Sequence, residues 1–227
     1  MARTVNPTVH AVRREAFVEA AQRLIRAKGY EQMSVQDVLD EVDASRGAFY
    51  HYFDSKGALL DGVIERMVVD AVAALEPMVA DPNRSATDKL SGLFSGIASW
   101  KTERAELMLA LMEVWLSDDN AIVREKFRRG VVASLTPVLT AIIRQGVAEG
   151  SFRVTSADHT ARVVVALILG LNEHATELYL GRRADRLPFE ALEGALTAYP
   201  EAFERILGAR PGSLRLIDPG VLHRWFD

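Results

Sequence analysis

Between Ser34 and Lys56 the chain sets two short helical runs on either side of a three-residue turn, and that spacing leaves few ways to pack. Ser34 is a good N-cap, and Asp37 three residues on supplies the second half of a near capping box. Val35, Val38, Leu39 and Val42 then fall on one helical face. Asp43, Ala44 and Ser45 form the turn, Arg46 to Phe53 the second helix, and Asp54-Ser55 caps a further helix opening at Lys56. Helices this short are stable only when crossed, here with Val38, Leu39 and Val42 against Phe49 and Phe53, which stand four apart on one face. Arg46, Gly47, Ala48, Tyr50, His51 and Tyr52 are left outside that core or only partly in it. A helix that begins with Gly and Ala admits close approach, and its first turn offers free backbone donors to a phosphate. This is the helix-turn-helix geometry that enters a major groove. Singly, Tyr50 and Tyr52 read better as packing aromatics and Lys56 as a solvated cation; the joint spacing carries the inference.

The rest of the chain reads with helical period and shows no alternating strand, so the expected fold class is all-α. Asn6, Pro7 and Thr8 can start a first helix with Val12, Phe17, Ala20, Leu24 and Ile25 as its apolar stripe, closed by Gly29. The Pro- and Asp-containing stretch 76–86 reads as a linker. Longer helices are expected near 87–100, 103–117, 120–149, 157–181 and 188–208, the third kinked by Pro137. The expected domains are a helix-turn-helix domain over 9–70 and a larger helical domain over 71–227. The tail after Pro211 carries Leu214, Leu216, Ile217, Trp225 and Phe226 and is apolar enough to pack on something.

Composition excludes several chemistries. Cysteine is absent, which removes disulfides, thiol catalysis and cysteine-bound zinc and fits a reducing compartment. The five histidines show no paired-ligand spacing, so no metal is expected. There is no Ser-His-Asp spacing, no apolar pair of carboxylates and no phosphate-binding glycine loop; neither enzyme activity nor a cofactor is expected. The N-terminus lacks a signal-peptide core and no uninterrupted apolar run is of spanning length, which predicts a cytoplasmic protein without a membrane partner. The net charge is −4, and residues 1–60 hold eight Lys/Arg against eight Asp/Glu. A DNA-binding surface therefore requires the basic residues to gather on one face.

The run Ser45-Arg-Gly-Ala-Phe-Tyr-His-Tyr-Phe-x-x-Lys56 resembles the TetR-family pattern, preceded at family-like spacing by the Ser34 cap and a first helix ending in Lys28-Gly29-Tyr30. The resemblance is strong over about residues 12–65. It is looser at Gly146-Val-Ala-Glu-Gly150-Ser-Phe152-Arg153 and at Gly170. One departure is Asp43, where the family usually has glycine. The resemblance implies that Arg46 reads a base edge through its forked guanidinium. It implies that Gly47 and Ala48 lie against bases, and that Ser34, Ser45, Tyr50, His51, Tyr52 and Lys56 mainly hold phosphates. Arg3, in an N-terminal arm, would reach backbone or minor groove.

By the same resemblance the larger domain binds a ligand and dimerises. Phe189, Leu192, Leu196, Tyr199, Phe203 and Ile206 alternate three and four apart as a heptad seam, with Pro200 inside it. The stretch 161–180 is apolar on most sides. Such helices form a four-helix interface with a second subunit or, alternatively, fill a monomer core. For a pocket, Trp100, Arg104, Met108, Met112 and Trp115 offer large adaptable side chains, with Phe127 beside them and Asn172 and His174 as polar groups to orient a ligand. The plainer alternative is that the Met/Trp stripe is core and His174 structural. Glu113 reads as solvated.

These expectations describe a ligand-responsive transcriptional repressor, a homodimer on a palindromic double-stranded DNA operator that a small, mainly apolar effector releases. The alternative is a constitutive DNA-binding regulator without a small-molecule ligand.

Overall fold

Ser34 sets the start of the second helix by satisfying two orphan backbone groups at once. Its hydroxyl oxygen accepts from Asp37 N at 3.1 Å, and the Asp37 carboxylate accepts from Ser34 N at 2.7 Å. The computed structural model that shows this describes residues 7–116, 121–184, 186–216 and 218–226. Among the described residues every regular element is a helix. They run α1 (Pro7–Lys28), α2 (Val35–Val42), α3 (Arg46–Tyr52), α4 (Lys56–Ala73), α5 (Glu76–Ala80), α6 (Ala86–Glu103), α7 (Ala105–Leu116), α8 (Ala121–Ala148), α9 (Ala157–Arg183), α10 (Phe189–Leu207) and α11 (Pro219–Phe226).

The chain divides into two compact units, and the division is not a single cut. The first comprises Met1–Val68 and Arg104–Phe127, the second Val69–Glu103 and Arg128–Asp227. The break after Val68 lies close to the expected boundary at 70, and the first unit additionally takes in α7 and the start of α8. The physical reason is apolar surface. Three short helices leave part of α1 uncovered, and α7 packs there, with Leu107 and Val123 joining the core formed by Phe17, Val18, Ile25, Val38, Phe49 and Leu60. Met108, Leu111 and Phe127 lie partly buried against the same core.

Within the first unit α1 stops at Gly29, whose φ of +80° suits glycine and whose N–H donates to Ile25 O at 2.8 Å. Lys28 and Asp37 form an ion pair of 2.7 Å that ties the end of α1 to the start of α2. Phe17 meets Phe49 edge-on at 5.7 Å and Phe53 at 6.3 Å between ring centroids. Edge-to-face pairs of this kind add about 0.5–1.5 kcal/mol to the burial itself.

In the second unit the stretch expected as a linker contains α5, with Pro77 in its first turn where a missing N–H costs nothing. Pro137 and Pro200 both lie inside continuous helices. Gly146 and Gly150 close α8: Phe152 folds back so tightly that a Cβ on Gly146 would collide with its ring, and Gly150 adopts a φ of +73°. The apolar tail does pack. Buried Glu204 accepts from Gly212 N and Leu214 N at 2.9 Å each, Leu214 and Leu216 are buried, and Trp225 Nε1 donates to Thr102 Oγ1 at 2.9 Å.

The heptad seam on α10 also needs correction. Leu192, Leu196 and Phe203 are at most 2% exposed and pack inside the second unit, Leu192 and Leu196 with Leu178 of α9. A 3-4 apolar repeat marks a buried stripe without saying which chain buries it. Here the same chain does, with Phe189 and Tyr199 half-buried beside it. The helices α8 and α9 are, by length and composition, apolar enough to cross a membrane, a property that core helices share.

Candidate nucleic-acid interface

The reading helix owes its orientation to two aromatics. Phe49 and Phe53 are buried at 0% and 3% exposure, which turns the opposite face of α3 outward. Ser45, Arg46, Gly47, Tyr50 and His51 are exposed, and Ala48, Tyr52 and Lys56 half-buried. Ser45 caps α3, its Oγ accepting from Ala48 N at 3.2 Å. The first turn therefore presents Arg46 and the bare backbone of Gly47 together. A Cβ added to Gly47 would meet nothing within 4 Å, so the fold itself does not require glycine there.

The remaining predicted contacts divide. Tyr50, at 52% exposure, meets Phe49 edge-to-face at 5.3 Å between ring centroids. Tyr52 tilts against Phe17 at 5.7 Å and His10 at 4.6 Å, so packing accounts for much of its position. His51 lies 5.4 Å from His10, which sequence reasoning missed because nothing local to α1 singles that histidine out. Ser34 spends its hydroxyl on Asp37 in both directions, accepting from Asp37 N and donating to Oδ2 at 2.7 Å. Lys56 donates to Glu31 O at 3.2 Å and lies over the Tyr30 ring at 4.2 Å. Arg3 lies outside the described residues.

Electrostatics within the motif follow the same pattern. The Asp37 carboxyl is held well below the usual carboxylate range, chiefly by the Lys28 ammonium and next by the Ser34 hydroxyl and backbone N–H. The Tyr30 phenol is raised by burial, then by Glu31 and Asp61. The chemistry available on this face is that of a helix first turn with one guanidinium, two hydroxyl groups (Ser45 and Tyr50) and an imidazole. It is suited to binding an anion-lined groove and carries no nucleophile–base pair.

The residues predicted for a pocket are not gathered in one unit. Trp100, Asn172 and His174 belong to the second unit; Arg104, Met108, Met112 and Phe127 belong to the first, where Met108 and Phe127 face its core. Trp100 is nearly buried and Arg104 exposed. The Trp115 and Glu113 side chains lie outside the described residues. His174 Nδ1 is 3.0 Å from the Tyr199 hydroxyl, which fits a satisfied structural histidine, and Asn172 receives a hydrogen bond from Lys101. Sequence reasoning missed Lys101 because a single lysine in an amphipathic helix normally reaches water. It also missed a groove of about 740 Å³ along α8 and the start of α9, lined by Arg128, Arg129, Arg144, Asp158 and Arg162 around Pro137.

Comparison with known proteins coincides with this geometry. The family described as "Bacterial regulatory proteins, tetR family" matches residues 17–63, the stretch from the core of α1 into α4. The HTH-type transcriptional regulator EthR of Mycolicibacterium smegmatis is 30% identical over 144 residues, covering 56% of this chain and 66% of that protein. The HTH-type transcriptional repressor KstR2 of the same organism is 28% identical over 153 residues, covering 65% and 71%. The chain thus spans about two thirds of the length of these relatives. The transcriptional regulator FadR of Bacillus subtilis, solved with stearoyl-CoA, shares the fold with a TM-score of 0.58 at 17% identity, covering 85% of this chain and 97% of that one. The family match thus spans α2, the turn and α3, and the chain belongs to the TetR family of bacterial regulatory proteins.

Proposed function

We propose that this protein is a ligand-responsive transcriptional repressor that works in the cytoplasm as a homodimer on a palindromic operator. The observation that carries the DNA-binding part is the first turn of α3, where Arg46 and an unobstructed Gly47 face outward over a core closed by Phe49 and Phe53. Arg46 reads a base edge, Gly47 and Ala48 admit the bases closely, and Ser45, Tyr50 and His51 hold phosphates. Ser34, Tyr52 and Lys56 support that surface mainly from within, through the cap, the aromatic packing and the contact to Glu31.

Dimerisation rests on unburied apolar surface. Few residues in the most apolar stretch of α9 are fully buried within the chain, most are half-buried, and Val163 is 51% exposed. Surface of that kind calls for a partner. Val163 and Ala166 on α9, with Ala191, Gly194 and Ala198 on α10, are the exposed positions that a second copy would cover. Two reading helices related by a two-fold axis suit half-sites roughly 34–36 Å apart or a multiple of that.

Ligand response is supported by the fold shared with FadR, which was solved in complex with stearoyl-CoA. An effector acts only through its preference for the conformation unable to bind DNA, and full switching needs about 10⁴-fold preference. Gel shifts on the protein's own upstream DNA, repeated with a panel of apolar small molecules, test the whole reading. Release by at least one compound is expected. Binding that no compound relieves would leave a constitutive regulator.

A further inference from the structure

Lys101, on α6, directs its ammonium at the side chain of Asn172 on α9. Both residues lie within the second unit. An ammonium has protons and no lone pair, so Asn172 must present Oδ1 to it, and that turns the amide NH₂ away as a further donor. The site thus holds several N–H groups, one set charged, with Asn172 Oδ1 the acceptor that receives one of them. No carboxylate among the described residues forms an ion pair with Lys101. The residue keeps partial contact with solvent, yet its ammonium end is desolvated enough that burial alone pushes its pKa down to about 8, so it remains mostly protonated at neutral pH. A charge held this way costs free energy until something of opposite sign arrives.

The surroundings favour an amphiphilic visitor. Asn172 follows a run of half-buried apolar residues on α9, Leu167 to Leu171, and Trp100 precedes Lys101 on α6. Thr102, the next residue, is already engaged: its hydroxyl donates to Ala98 O at 2.8 Å and accepts from Trp225 Nε1 at 2.9 Å. The C-terminal helix α11 therefore covers α6 beside the lysine and leaves Lys101 and Asn172 as the groups with donors to spare.

We infer that the effector carries an anionic head, a carboxylate or similar oxyanion on an apolar body, which accepts hydrogen bonds from Lys101 and Asn172. This rests on the reading of the protein as ligand-responsive and names the chemical class of its ligand.

The test uses the full-length protein with matched acids and alcohols, octanoate against octanol, dodecanoate against dodecanol and benzoate against benzyl alcohol. Binding is followed by tryptophan fluorescence and by the shift in Tm. At least one acid should bind about tenfold or more tightly than its alcohol, the size expected of a charge-assisted contact. Lys101→Met should abolish that preference and Lys101→Arg should keep part of it. Since Lys101→Met removes an uncompensated charge, it should fold at least as stably as the parent. Binding of no acid, equal binding of acid and alcohol, or an undiminished preference in Lys101→Met would overturn the inference. The two readings fail separately. Lys101-dependent acid binding without operator release would leave the anion site standing and remove ligand control. Release of operator by a neutral compound, equally in the parent and in Lys101→Met, would keep ligand control and remove the anion site.

Discussion

Lys56 Nζ donates to the backbone carbonyl of Glu31 at 3.2 Å, and the same ammonium lies 4.2 Å from the centre of the Tyr30 ring. A residue at the start of α4 thereby fastens the loop between α1 and α2. Its first task is inside the protein, and any phosphate it meets shares a cation already partly engaged. Lys56→Ala should therefore lower Tm, by an amount equivalent to roughly 0.5–1.5 kcal/mol, and weaken binding to all DNA sequences alike. Thermal unfolding combined with salt titrations on cognate and random duplexes checks this. An unchanged Tm with a salt slope reduced by about one would make it a plain phosphate contact.

Arg46 makes the opposite case. It is exposed at the first turn of α3 and takes no part in the core. Arg46→Ala should leave Tm unchanged and cost roughly 1–3 kcal/mol at the cognate site, with relaxed preference at one base position. Selection of binding sites from a randomised pool by the variant measures it. Equal losses on every sequence would reduce Arg46 to backbone contact.

Gly47 offers a test in which stability and function move in opposite directions. Nothing stands within 4 Å of where its Cβ would lie. Gly47→Ala should stabilise the helix by about 0.5–1 kcal/mol while weakening operator binding. A variant that gained stability and bound DNA as the parent does would show that no base comes close to this position.

On α10 two neighbouring positions should behave differently. Leu196 is 2% exposed within its own unit, whereas Ala198 is exposed. Leu196→Asp places a charge in the core and should unfold the second unit. Ala198→Asp should leave circular dichroism intact and shift the protein toward monomer in sedimentation. A dimer unaffected by Ala198→Asp would move the interface off this face.

The Asp37 cap predicts a pH dependence. Its folded pKa is depressed, chiefly by Lys28 and then by Ser34. A depressed carboxyl stabilises above its unfolded pKa of about 4 and loses that contribution as pH falls further into the acid range. Asp37→Asn should be less stable than the parent at neutral pH, and the gap should narrow below about pH 4. A gap independent of pH would mean that the carboxylate charge is irrelevant to the cap.

The helix-turn-helix was legible because its determinants are local. Ser34 and Asp37 stand three residues apart, Phe49 and Phe53 four apart, and each pair does in space what that spacing implies. The second unit was legible as helices and far less so as a site, because its questions concern partners distant in sequence. The stripe of Leu192, Leu196 and Phe203 announces burial, and only the position of Leu178 shows that the chain buries two of them itself. Met108 and Phe127 carry no mark of belonging with α1. Lys101 looks like any solvated lysine until Asn172, far along the chain, is brought against it. The latch from Glu204 to Gly212 and Leu214 was likewise invisible, although the apolar tail it fastens was not.

Asp43, which ends α2, adopts a φ of 48° and donates its N–H to Leu39 O, meeting the left-handed requirement that glycine usually meets in this family. Strain in the folded turn and freedom in the unfolded chain oppose each other here, each of about 1 kcal/mol, so the exchange of aspartate for glycine is close to neutral. The codons for the two residues differ by a single nucleotide. A single-nucleotide change can therefore exchange one residue for the other at this turn with little effect on folding. Glycine at this turn is thus not a condition of the architecture, since Asp43 meets the same left-handed backbone here.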